Sequence, residues 1–283
     1  MRVRSNPNCR PFSDWLLNIG HGRSAPDSLR TSTLSIPDSM RRHSEAALID
    51  SVYGSFRDRV SAPPPEFFRE RAILAAQNKD IRKINTTILD LLPGREHTYW
   101  SADTYSFEGP NRPRNDNIPT EFLHSLNASG LPVAQLRLKP GCPVILLRNI
   151  DAKRGLCNGT RATVIQMSTR LLEVRLLTGD HAGDTALIPR ISLSPTNTGL
   201  DYSIKLIRRQ FPVQLALAMT INKAQGQTLA HIGIDLRKPV FAHGQLYVAF
   251  SRATSHAHIN VLLPDACTHS NTANVVYYEV LLD

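Results

Sequence analysis

Long apolar runs are missing from this 283-residue chain. None reaches the roughly 18 residues that a bilayer-crossing helix requires, which argues against a transmembrane protein and a membrane partner. The basic start, MRVRSNPNCR, has no apolar stretch behind it and does not read as a secretory signal. Closely spaced cysteines are missing too. Cys9, Cys142, Cys157 and Cys267 offer no zinc-knuckle or redox-dithiol spacing, so they read as reduced thiols of an intracellular protein. Of ten histidines only His256 and His258 lie close together. An i,i+2 pair shares one face of a strand, but no third ligand is near, so no metal site is expected. Aromatic residues make up only 6%, which leaves few platforms for stacking bases and predicts little sequence preference if single strands bind. No G-x-x-x-x-G-K-[ST] motif is present, no Asp-Glu pair follows an apolar strand to hold Mg²⁺, and no spacing points to a nucleophilic triad. A complete catalytic site is therefore not legible.

Positive charge is present in excess, at +9 overall. Residues 130–212 hold 12 basic and 5 acidic side chains, whereas 213–283 hold 4 of each. An excess confined to one stretch points to an anionic partner, with nucleic acid the usual one, or to a generic solubilising surface.

Residues 1–70 contain two short helix patterns, FSDWLLNIGHG, ended by Gly20 or Gly22, and SEAALIDSVYGSF, with Ser44 as N-cap. A three-proline turn, SAPPPEFFRER, comes next. RAILAAQN reads as a strand. In DIRKINTTILDLL the spacing of Ile81, Ile84, Ile88 and Leu92 predicts a helix. Residues 100–130 read as mostly irregular, with NRPRNDN an exposed loop. CPVILLRN, GTRATVIQM, LLEVRLLTG and TALIPRISL predict four strands of a small barrel, with Asn158-Gly159 as a tight hairpin turn. FPVQLALAM, HIGIDL and INVLLP then predict three strands, alternating with a polar connection and the helix HGQLYVAFSRAT, on which Leu246, Ala249, Phe250 and Ala253 share a face. That alternation implies a parallel sheet, with ligands at the C-terminal strand ends.

TINKAQGQTL occupies such an end. Thr220, Asn222, Lys223, Gln225 and Thr228 supply hydroxyl, amide and ammonium groups within nine residues, and Gly226 permits close backbone approach. The set suits phosphate contacts; an ordinary polar loop is the plain alternative. Arg252 is either a solvated arginine complementing a helix dipole or a finger for a γ-phosphate.

TINKAQGQTL followed by QLYVAFSRAT resembles motifs V and VI of the Pif-one-like DNA helicases of superfamily one. LPVAQLRLKPGCPVILLRNIDAKRGLCNGTRATVI resembles their inserted SH3-like 2B domain, and RAILAAQNKDIRKIN resembles the start of their second motor domain. FSDWLLNIGHG is similar to the segment that ends the first motor domain in helicases carried by Helitron transposons. The resemblance spans about nine tenths of the chain, with five motifs in order.

The resemblance implies an α/β fold: a RecA-like parallel-sheet motor domain interrupted by a small SH3-like β-barrel, with a truncated helical N-terminal piece. It places the tail of the first motor domain and a linker at 1–69, the second motor domain at 70–100 and 205–283, and a loop plus 2B at 101–204. It implies a nuclear ATP-dependent hydrolase that moves 5′-to-3′ on single-stranded DNA and unwinds duplexes, with family roles in DNA repair, recombination and telomere maintenance. Arg252 would sense the γ-phosphate as the catalytic arginine. Gln225 and Gly226, with Arg252, would bind nucleotide, and Thr220, Asn222, Lys223 and Thr228 would face DNA. The family often has His where this chain has Asn222. The family's P-loop lysine, which cradles ATP, and its Mg-binding carboxylates are expected in a missing N-terminal motor domain, so the isolated chain is expected to be inactive as an ATPase. A non-catalytic remnant that at most binds nucleic acid is the alternative. A stand-alone adaptor for proline-rich peptides is disfavoured by the scarcity of aromatics.

Overall fold

A computed structural model of the chain describes residues 10–23, 31–54, 61–107, 118–128, 130–195, 204–264 and 270–280. Cys9, Cys267 and the NRPRNDN loop lie outside them. The first half runs α1 (Arg10–Gly20), β1 (Thr31–Ser35), β2 (Arg41–Arg42), α2 (Glu45–Tyr53), α3 (Pro65–Arg69), β3 (Arg71–Ala75), α4 (Asn78–Leu91), β4 (His97–Trp100), β5 (Ala102–Phe107), α5 (Thr120–Ser125), β6 (Gln135–Leu138) and β7 (Pro143–Leu146). The second runs β8 (Arg161–Met167), β9 (Leu171–Leu176), β10 (Thr185–Pro189), β11 (Ile191–Leu193), β12 (Ile204–Gln210), β13 (Val213–Leu215), β14 (Ala218–Thr220), β15 (His231–Asp235), α6 (Gln245–Phe250), β16 (Ile259–Leu262) and β17 (Asn271–Val275).

The chain divides into two compact units. One takes the described residues of 1–59, 67–91 and 217–283; the other takes those of 60–66 and 92–216. The expected domain limits at 100/101 and 204/205 correspond to divisions at 91/92 and 216/217.

The first unit is built on a parallel sheet of order β14-β3-β15-β16-β2. Its central strands bury nearly every side chain, as strands covered on both faces must. α4 turns Ile81, Ile84, Ile88 and Leu89 inward and packs on β3 and β14. α2 starts at Ser44, whose Oγ accepts from Ala47 N at 3.0 Å, and lies on β3, β15 and β16. Gly233 makes that packing possible. A Cβ there would meet Ile73 Cγ1 at 3.0 Å, Val52 Cγ2 at 3.1 Å and Leu48 Cδ1 at 3.2 Å. α1 packs on α6, with the Trp15 ring edge-on to Phe250 at 5.0 Å.

The N-terminal segment, expected as a truncated helical piece, also contributes strands. β2 is an edge of the parallel sheet and β1 pairs antiparallel with β17. Much of its apolar surface is buried within this unit: Leu16, Ile19 and Leu48 have no exposed surface, whereas Leu17 is 37% exposed.

The second unit is antiparallel throughout. Its sheets have orders β10-β9-β8-β7-β13, β11-β12-β5 and β4-β6. Three expectations need correction here. Within 100–130, expected as mostly irregular, Ala102–Phe107 is a strand because it finds β12, about a hundred residues later, to pair with, and Thr120–Ser125 is a helix. TALIPRISL is not one strand, since Pro189 ends β10 and β11 joins a different sheet. Asn158-Gly159 is not a two-residue hairpin turn. Asn158 N donates to Asn149 Oδ1 at 2.7 Å and Gly159 N to Leu146 O at 2.9 Å, so the pair closes a longer loop that contains an Asp151–Leu156 bridge.

The apolar run FPVQLALAM is also two strands. Ala216 N donates to Pro143 O at 2.9 Å in the antiparallel unit. The next residue, Leu217, accepts from Ile73 N at 3.1 Å in the parallel sheet. Both halves are apolar because both enter a core, so hydropathy alone carries no mark of the change.

Counted by these units, the charge asymmetry dissolves. The antiparallel unit holds 15 basic and 11 acidic residues, a net of +4, because residues 92–129 and Glu66 add six carboxylates. The rest of the chain carries the remaining +5.

Candidate functional site

β14 is an edge strand, and the turn it leads into can be no firmer than the strand itself. Asn85, on α4 and buried, clips the strand from the side. Its Nδ2 donates to Ala218 O at 2.9 Å and its Oδ1 accepts from Ala218 N at 2.7 Å, reproducing with an amide the two bonds a further strand would make. Tyr53 Oη donates to Leu217 O at 2.7 Å. Thr220 ends the strand, half-buried, and gives way to a single 3₁₀ turn over Ile221–Ala224. Ile221 and Ala224 anchor that turn in the core, which turns Asn222 outward and leaves Lys223 half-buried. Gln225, Gly226 and Thr228 are exposed. Gly226 has φ +82° and nothing within 4 Å of where a Cβ would be. The residue therefore answers a backbone requirement, and the space beside it is open. Burial pushes the Lys223 ammonium below its ordinary value. Its Nζ has no carboxylate partner among the described residues.

α6 is shorter than the expected HGQLYVAFSRAT helix. It ends at Phe250, because Arg252 O must accept from Leu229 N at 3.0 Å and Ala253 bridges to Leu229. Leu246, Ala249, Phe250 and Ala253 are nonetheless all buried. Arg252 lies just past the helix end. Its Nε donates to Val248 O at 2.9 Å, its Nη1 to Gln227 O at 3.0 Å and its Nη2 to Ser251 Oγ at 2.8 Å. One of these bonds caps the last turn of α6, as a cation at a helix C-terminus does. Another ties the guanidinium to the loop after β14.

So the structure ties Arg252 to Gln227 within the Thr220–Thr228 segment. Thr220 ends at the C-terminal side of the sheet, level with Ala75 and Asp235, whereas Arg252 O meets Leu229 N just before β15 begins. The structure also exposes a residue that motif and composition did not single out. Gln245, only 3% exposed, donates through Nε2 to Asn222 Oδ1 at 3.3 Å and accepts at Oε1 from Phe241 N at 3.1 Å. Its place inside the QLYVAFSRAT stretch was the available signal. Composition could not separate it from any other helix-start glutamine.

The basic stretch behaves differently. Arg137 pairs with Glu96 at 2.6 Å, and Arg208 pairs with Asp103 at 2.6 Å with neither side chain exposed. Lys139 Nζ donates to Leu92 O, Arg161 Nη2 to Ala216 O and Arg190 Nη1 to Trp100 O. Five of the twelve cations in 130–212 thus serve internal contacts. Lys153, Arg154, Arg170, Arg175, Lys205 and Arg209 remain on the surface.

Residues 121–167, within the antiparallel unit, match the family described as the 2B domain of the DNA helicase Pif1. The chain is Pif1-like. Human ATP-dependent DNA helicase PIF1 is 35% identical over 193 residues, which is 67% of this chain and 26% of that protein. PIF1 of Xenopus laevis is 32% identical over 192 residues. Among solved structures, the Pif1 helicase from Candida albicans aligns over 93% of this chain and 55% of its own, with a TM-score of 0.58 and 25% identity. A Bacteroides Pif1 bound to single-stranded DNA shares the fold over 92% of this chain and 49% of its own, with a TM-score of 0.55. The chain spans about a quarter of the length of the human Pif1 relative and matches the C-terminal part of Pif1-like helicases.

Proposed function

We propose that the chain is the C-terminal part of an ATP-dependent 5′-to-3′ DNA helicase, in which ATP hydrolysis drives translocation on single-stranded DNA and duplex unwinding. One observation carries the reading. Arg252 Nη1 donates to Gln227 O, so the arginine that would meet a γ-phosphate holds the loop that would meet DNA. ATP and DNA come to this chain from the name of its human relative, ATP-dependent DNA helicase PIF1.

In this reading a triphosphate bound beside Arg252 competes for its guanidinium, and charge developing on the γ-phosphate is stabilised by it. Any shift of the guanidinium pulls on Gln227 O and hence on the turn bearing Asn222 and Lys223. Thr220, Asn222, Lys223 and Thr228 contact the DNA backbone, while Gln225 and the open space at Gly226 face the nucleotide. No three metal-ligating side chains gather among the described residues. We assign Mg²⁺, and the cradle for the β- and γ-phosphates, to a further, N-terminal motor domain, in keeping with the chain's spanning 26% of its human relative. The antiparallel unit takes the role of the SH3-like 2B module.

Two measurements on the 283-residue chain test this. ATP hydrolysis, with and without single-stranded DNA, should stay far below a helicase-like rate. Robust DNA-stimulated hydrolysis that Arg252→Ala abolishes would overturn the assignment of the nucleotide cradle to another domain. Binding of a labelled single strand should be weak and should weaken steeply with salt, because phosphate neutralisation releases counterions. An affinity indifferent to salt would sink the DNA contacts.

A further inference from the structure

The hydrogen bonds around Gln245 have a fixed direction, and that direction reaches the surface. A backbone N–H can only donate, so the atom of Gln245 that meets Phe241 N must be the carbonyl oxygen, as the 3.1 Å contact has it. The other end of the amide is then Nε2, which can only donate. The atom of Asn222 facing it at 3.3 Å must accept, and is Oδ1. Asn222 is left with Nδ2, a donor-only group. The residue is exposed, and Nδ2 has no hydrogen-bond partner among the described residues.

We propose that Gln245 is a positioning residue: its relay from Phe241 N to Asn222 Oδ1 locks the Asn222 amide with its donor outward, so that Asn222 grips an anionic phosphate oxygen. Without the relay an asparagine at this place is a two-faced group, free to flip and present its oxygen, which a phosphate repels. The relay starts from a secured piece of backbone. His243 Nδ1 accepts from Tyr277 N at 2.9 Å and its ring stacks on Tyr277 at 5.3 Å, two residues from Phe241. Gln245 itself is buried, so its amide is shielded from water and held in place. Lys223, next to Asn222, adds a cation to the same surface. The idea rests on the proposed DNA contacts for the identity of the anion; the polarity of the relay does not.

The test uses the 283-residue chain and a fluorescein-labelled oligothymidylate, read by anisotropy. Asn222→Ala removes the donor and should weaken binding about tenfold, the loss of one hydrogen bond to a charged group. Gln245→Glu offers only acceptors, so it turns the Asn222 amide round and should weaken binding at least as much. Gln245→Met, which fills the same space without directing the amide, covers the case in which a buried carboxylate prevents folding, and should fall between wild type and Asn222→Ala. The deciding result is the double variant. Gln245→Met with Asn222→Ala should bind no more weakly than Asn222→Ala alone, because the glutamine acts through the asparagine. Additive losses would overturn the proposal, as would a Gln245 side-chain amide that exchanges with solvent as fast as that of Asn222 in NMR. If the Gln245 amide is protected while no variant, nor the wild type, binds the oligonucleotide, the relay stands and the DNA reading falls.

Discussion

In the antiparallel unit, Arg208 meets Asp103 with neither side chain exposed and donates besides to the carbonyls of Leu123, Leu126 and Pro132. In the parallel-sheet unit, Arg252 is also held by carbonyls, but it is half-buried at a strand end beside an exposed loop. The two arginines show what separates a structural cation from a functional candidate. Arg208 faces no solvent and leaves no route for a ligand. In the segment that Arg252 holds through Gln227, Asn222 Nδ2 has no hydrogen-bond partner and Lys223 Nζ no carboxylate partner among the described residues. The antiparallel unit turns much of its positive charge inward as polar locks. The parallel unit buries polar groups too, such as Asn85, but its Thr220–Thr228 segment leaves Asn222, Gln225 and Thr228 exposed, where a ligand can use them.

The comparison can be broken in four places. Asp103→Ala strikes the largest lock. It leaves Arg208 buried without its carboxylate, and unfolding should become easier by about 3–5 kcal/mol. Each unit carries one tryptophan, Trp15 in the parallel unit and Trp100 in the antiparallel one. Urea unfolding in Trp→Phe backgrounds should therefore show the Trp100 transition moving and Trp15 moving less. Equal shifts at both would mean that the units do not unfold as separate bodies.

Asn85→Ala is next. It removes two buried hydrogen bonds from the β14 edge and should cost about 2 kcal/mol by the same assay, now read at Trp15. It should also loosen the turn that carries Asn222. Ser44→Ala removes the cap of α2 and should cost about 1 kcal/mol.

The smallest effect is a pH dependence. Burial pushes His231 below its ordinary 6.5, helped by the Arg71 guanidinium and by His258, whose ring centroid lies 4.4 Å away; Glu70 opposes them. The unfolded chain then takes up a proton at a pH where the folded one does not. Stability should be full above about pH 6.5 and should decline as the pH falls from there toward the folded value. His231→Gln should flatten that slope, as monitored by thermal unfolding between pH 8 and 5.

Several of these elements are written in local sequence. The 3,4,4 spacing of Ile81, Ile84, Ile88 and Leu92 favours a helix, Ser44 supplies its neighbour α2 with a cap, and the centres of RAILA and HIGID are apolar because they are covered on both sides. Thr220 to Thr228 could be placed at a sheet end for the same reason: a polar, Gly-containing connection after a buried strand has few other places to go. Other features depend on distant partners. ADTYSF looks like loop until β12 pairs with it, and the basic stretch looks like a surface until Glu96 and Asp103 arrive from an earlier segment.

The sequence by itself determined the alternating strands and helices that make the parallel sheet and the polar turn after β14 at its C-terminal edge, because hydrophobic periodicity, caps and turn residues act within a few positions of the chain. Tertiary structure alone decided where FPVQLALAM leaves one sheet for another, which arginines are sealed, and which way the Asn222 amide points. Those outcomes depend on hydrogen-bond partners from about twenty to more than a hundred residues away, and hydropathy patterns do not encode which atoms will meet.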